Sequence, residues 1–176
     1  MNQLKSDEFP AFYAPYIDSV LGDVMHVLHE QLTSFPAFLK TVPAGKSEYA
    51  YAEGKWTIKE VIGHVIDTER IHAYRALRFA RNDTKALPGF EQEDFVANAH
   101  FNERSLDRFI EEFVLVRKAN LALFETFNEV ELNRRGLASE RLISVRAFLY
   151  IIAGHINHHR NIIKDRYLVG LTSQES

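Results

Sequence analysis

Apolar residues recur at helical spacing in four separate stretches of this chain, and that repeated period constrains the fold more than any other feature. In the first stretch Ile17, Leu21, Val24, Leu28, Leu32 and Phe35 mark a helix from about Asp18 to Leu39. The second opens after Lys55-Trp-Thr-Ile-Lys-Glu, where Thr57 and Glu60 have capping-box spacing, and runs to about Arg81. Ser105 caps a third helix to about Phe127, striped by Leu106, Phe109, Ile110, Phe113, Val116, Leu123 and Phe124. Ser144 caps a fourth to about Leu168, with Gly170 as its terminator. No convincing strand competes, so the expectation is an all-α four-helix bundle filling one domain over residues 1–176. The polar segment 82–104, with Leu87-Pro-Gly-Phe inside it, is too long for a minimal turn. It is expected to be a packed crossover between the second and third helices, with a gating lid as the alternative.

Composition narrows the function. A formal net charge of -3 removes the basic stripe that nucleic-acid proteins use against phosphates. No apolar run is long enough for a membrane span, and the first residues lack a secretory signal pattern, so a cytoplasmic protein is expected. With no cysteine, a metal site must use nitrogen and oxygen ligands, and eight histidines are available.

Two of those histidines stand out. On the fourth helix Phe148, Ile151, Ile152, His155, His159 and Ile162 share a stripe about 100° wide, and residues four apart are neighbours on a helix surface. His155 and His159 can therefore grip one ion together. The pair His155 with His158 has workable spacing too, and histidines satisfied by backbone carbonyls or by each other fit the same pattern. Gly154 leaves room for close packing beside the pair. On the second helix His64 is expected at a polar edge shared with Glu60, Asp67 and Thr68, where it could supply a third nitrogen. Asp67 lies one turn after His64, and its two readings are a base or imidazole-orienting partner and a solvated helix face. Glu60 is assigned to the helix start, His158 to the rim, and His26, His29, His72 and His100 to surface or loop positions.

Taken together, Trp56-Thr-Ile-Lys-Glu-Val-Ile-Gly-His64 with Asp67 and Arg70, then Leu87-Pro-Gly-Phe, then Gly154-His155-Ile-Asn-His158-His159, resemble the DinB-like (YfiT-type) superfamily from about Asp18 to Tyr167. The resemblance implies a metal triad of His64, His155 and His159, choosing His159 over His158, and one nickel or zinc ion with waters completing its shell. It also implies a homodimer, a partnership to which the 13 phenylalanines could contribute an apolar face. Some members of the superfamily are thiol transferases using bacillithiol or mycothiol.

Three functions follow from such a site. A divalent ion on three neutral imidazoles favours bound anions, so a low-molecular-weight thiol could be ionised there and attack a small electrophile. A metal-dependent hydrolase of small substrates is the second possibility, with Asp67 as proton acceptor in either case. A metal-binding bundle without turnover is the third. Arg75, Arg78 and Arg160 are the candidates for gripping a thiol's carboxylates.

Overall fold

The computed structural model describes residues 4–43 and 45–169; the expected terminator Gly170 lies outside them. Its four long helices are α2 (Val24–Leu39), α3 (Ile58–Ala80), α5 (Leu106–Phe124) and α7 (Val145–Ile162), with a short helix α1 (Ala14–Asp18) before them and α4 (Gln92–Asn98) and α6 (Glu129–Leu132) between them. The long helices make the expected bundle: α3 packs on α5 and α7, and α2 on the same two, so the order around the bundle is α2, α5, α3, α7.

The caps form where the sequence places them. Thr57 accepts from the Glu60 backbone N–H while the Glu60 carboxylate accepts from the Thr57 N–H, closing the capping box of α3. Ser105 and Ser144 accept from the N–H groups of Arg108 and Ala147. The first helix departs from expectation. It is broken between Asp18 and Val24, because Gly22 adopts φ +84° and Asp23 begins a new N-terminus by accepting from His26 N. α7 ends at Ile162 and passes into a π turn over Ile163–Tyr167.

The expectation of no strands is corrected as well. Strands β1 (Arg135–Ala138) and β2 (Arg141–Ser144) pair antiparallel, Ala138 opposite Arg141, across a two-residue turn. Ser139 and Glu140 both have positive φ, 50° and 62°, the backbone hand that suits a tight hairpin. Segment 82–104 is a packed crossover: α4 forms within it, Leu87 bridges to Ala138, and the Phe101 ring fills the space left by the missing Cβ of Gly63.

The bundle interior is split. One apolar cluster gathers Val24 and Leu28 of α2, Ala73, Ala76, Phe79 and Ala80 of α3, Leu121 and Phe124 of α5, and Val145 with residues 147–153 of α7. The other gathers Phe35, Leu39, Ile58, Val61, Ile62, Val65, Ile66, Phe109, Ile110, Phe113, Ile156 and Ile163. Between them every long helix contributes a buried polar side chain: Gln31, then His64, Thr68, Glu69 and His72, then Arg117, then His155 and His159. A polar layer this far inside must be internally satisfied or must hold a ligand.

Candidate metal centre

Half of that layer satisfies itself. The Arg117 guanidinium donates to both Glu69 oxygens at 2.8 and 2.9 Å, and its third nitrogen donates to Leu28 O and Gln31 Oε1 at 3.0 Å. Gln31 Nε2 passes the network to Ala153 O and Asn157 Oδ1 on α7. This arrangement fixes α2, α3 and α5 against the helix that carries the two histidines.

The other half is the histidine cluster. Nε2 of His155 lies 3.1 Å from Nε2 of His64 and 2.9 Å from Nε2 of His159. All three residues are buried, so His64 is inside the bundle rather than at the polar edge read from its helix. It goes there because α3 packs against α7 along most of its length and the Trp56 ring covers it at 4.8 Å. The close approach of α1 bounds the other side: a Cβ on Gly154 would lie 2.0 Å from Tyr16 O, and the Tyr16 ring stands 5.5 Å from that of His155.

Burial is the first cause of depressed basicity throughout the cluster. It holds His64 to about 4 and His159 to about 3, with neighbouring histidines adding to the effect, and puts His155 well below the usual range. The imidazoles are therefore neutral at physiological pH. The Nε2 of His155 carries either one proton or one lone pair, so in the neutral state it cannot make a full hydrogen bond to both of its neighbours at once. A cation resolves that conflict. With metal–nitrogen bonds of about 2.1 Å, neighbouring ligand atoms sit about 3.0 to 3.4 Å apart, close to the 3.1 and 2.9 Å that separate His155 Nε2 from its two neighbours. The donor set thus fits a divalent ion, and three nitrogens leave coordination positions free. On the far sides of the rings, Thr68 Oγ1 stands 3.4 Å from His64 Nδ1, while His159 Nδ1 has no partner among the described residues.

His158 stays half-buried at the rim with its ring 4.9 Å from that of Tyr16. Asp67 is not brought to the triad. Its carboxylate pairs with Arg70 at 3.2 Å and lines a depression with Asp94, Phe95, Asn98 and Ala99 that shares no residue with the cavities at the histidines. Of the three arginines, Arg78 pairs with Asp83 and Arg160 lies over Phe38, both away from the site. Arg75 alone is close, buried beside Tyr13 and Phe90.

His72 corrects an expectation. Read as a surface residue, it is 3% exposed and lines the same cavity as His64 and His155. The signal was the stripe His64, Thr68, His72 at four-residue steps on α3. Two cavities reach the triad. One, about 300 Å³, is walled by Phe12, Tyr13, Tyr16, Phe90 and His72 and reaches His64 and His155. The second, about 210 Å³, reaches His159 between Trp56, Tyr51 and Tyr167. Gln92 of α4 borders both.

No curated protein matches the chain. Among solved structures it is similar to YfiT from Bacillus subtilis, a probable metal-dependent hydrolase with an unusual four-helix bundle topology, at 18% identity and a TM-score of 0.72, covering 94% of this chain and 92% of that one. That likeness shows a shared fold. The sequence model of the DinB superfamily matches residues 28–163, a span running from α2 to the end of α7 and containing all three converging histidines. On that match the chain belongs to the DinB superfamily.

Proposed function

We propose that this chain is a metal-dependent transferase: His64, His155 and His159 hold one nickel or zinc ion, and a low-molecular-weight thiol of the bacillithiol or mycothiol kind is joined to a small electrophile. The reading rests on one observation above the others, the two cavities that open on opposite parts of the triad and meet at Gln92. Two chambers at one site can seat the two molecules that such a reaction joins. When bound, the ion supplies a Lewis acid that lowers the pKa of a thiol beside it. The transfer makes a carbon–sulfur bond, releases the leaving group from that carbon, and passes the thiol proton to solvent.

The protein's part is positional. Burial keeps the three imidazoles neutral and able to act as ligands, and Thr68 stands where it can steady His64. The rings of Trp56 and Tyr16 shield the imidazoles from bulk water. Asp67, held by Arg70 outside both cavities, has no step in this scheme.

Hydrolysis of a small substrate is the second reading, favoured by the fold shared with YfiT, whose description is that of a probable metal-dependent hydrolase. One experiment separates the readings. Untagged protein is analysed for metal by elemental mass spectrometry beside a His155→Ala, His159→Ala double variant, then assayed with and without thiol. Near one equivalent of nickel or zinc in the wild type only, with turnover that requires thiol, is expected. Turnover without thiol would make it a hydrolase, and metal without either activity a binding bundle. Absence of metal after reconstitution would remove both enzyme readings. We further propose a cytoplasmic homodimer; sedimentation equilibrium should give twice 20.3 kDa, and a monomer at micromolar concentration would overturn it.

A further inference from the structure

Arg75 is 4% exposed, yet it forms no ion pair among the described residues. Its Nη2 donates to Pro88 O at 2.7 Å and Ser139 Oγ at 3.1 Å, while Nε and Nη1 donate to no described residue. Burying a guanidinium without a counter-charge is costly, and the burial pulls its pKa below the usual arginine range. It lines a partly open cavity of about 90 Å³ together with the exposed Arg141, a second arginine without an ion pair among the described residues. No carboxylate lines this cavity or the larger one beside it, and Phe12 and Tyr13 border both. The Phe90 ring, a wall of the larger cavity, stands 5.7 Å from the Arg75 guanidinium.

We propose that Arg75, helped by Arg141, is an anion site that receives the carboxylate of a small molecule whose aromatic or apolar body lies in the larger cavity toward His64 and His155. The free Nε edge of a guanidinium offers the two-pronged geometry that a carboxylate matches. A carboxylate rather than a phosphate fits because one buried guanidinium balances a single negative charge, and the remaining walls, Phe148 and Ile143 among them, are apolar. The inference deepens the proposed function by naming a feature of one substrate, and rests on that reading only for calling the ligand a substrate.

Calorimetric titration of the full chain, zinc-loaded and after dialysis against chelator, tests it with phenylacetate, its neutral amide phenylacetamide, and inorganic phosphate on the stripped protein. Phenylacetate should bind about tenfold tighter than the amide in both metal states, the size of one charge-assisted contact. Phosphate should bind more weakly than phenylacetate. Arg75→Gln should abolish the preference for acid over amide, and Arg141→Gln, at an exposed hairpin position that spares the fold, should weaken acid binding several-fold. Equal binding of acid and amide, or a preference that survives both substitutions, would overturn the site. Tighter binding of phosphate would overturn the carboxylate assignment, and acid binding lost on stripping would move the carboxylate to the metal. Should the chain hold no metal at all, the stripped-protein comparison still decides.

Discussion

At the scale of single residues, the polar layer contains two kinds of buried charge problem with opposite solutions. Glu69 and Arg117, 2% and 0% exposed at the side chain, solve it by pairing. Replacing Arg117 with Met strands the carboxylate and should cost about 4 kcal/mol in urea unfolding, whereas Arg117→Met with Glu69→Leu should recover most of that loss. A double variant no more stable than the single one would show that the pair does more than neutralise itself. His72 solves the problem by staying neutral: burial first, then Arg75, holds its pKa to about 3, against about 6.5 in an unfolded chain. Between those values only the unfolded chain takes up this proton. The stability from His72 is therefore fully present above about pH 6.5 and is lost as pH falls toward 3. By about pH 5 the loss reaches about 2 kcal/mol. In metal-free protein, His72→Phe should make the fall in unfolding free energy between pH 7 and 5 smaller by about that amount. An unchanged fall would mean that His72 takes up its proton inside the folded protein.

At the scale of elements, the site depends on how closely α1 lies on α7. Gly154→Ala puts a Cβ against the Tyr16 carbonyl, a backbone atom that cannot swing aside, so α1 must shift. The expected cost is about 2 to 3 kcal/mol, or about 8 °C in thermal melting, with metal stoichiometry retained because the three histidines lie on α3 and α7. A melting point equal to wild type would mean that the α1 contact is soft. The same elements show what a sequence can and cannot disclose. The caps at Thr57, Ser105 and Ser144 were legible because each is a bond across three residues, and the long helices because their apolar period runs for many turns. The hairpin was hidden: its strands are four residues each, and its turn, Ser139-Glu140, lacks the Asn-Gly pair that announces positive φ. The break at Gly22-Asp23 was hidden for the opposite reason, since the apolar period continues across it. The four-residue stripe on α3 pointed to His72, but which stripe turns inward is set by the packing of α3 on α7, and a single helix's own pattern does not hold that information.

At the scale of the whole molecule, eight of the thirteen phenylalanines are buried in the two apolar clusters. Those clusters never merge. The layer between them joins α2, α3, α5 and α7 by hydrogen bonds on the Arg117 side, while on the histidine side α3 and α7 face each other through three neutral imidazoles. A ligand gripped by His64, His155 and His159 would cross-link residues 91 positions apart, and anything that binds the folded chain but not the unfolded one adds stability as the logarithm of its concentration over Kd. At about a thousandfold excess over Kd that is about 4 kcal/mol, which for a chain of this size raises the melting temperature by about 10 °C. Zinc or nickel added to stripped protein should produce that rise at neutral pH, and chelator should reverse it. The rise should hold down to about pH 5 and shrink toward pH 4, where protons compete with the ion for His64 in the folded chain. The His155→Ala, His159→Ala protein should show no rise at any pH. A metal-induced shift of equal size in that variant would place the ion elsewhere, and leave the two halves of the bundle joined at the triad by packing alone.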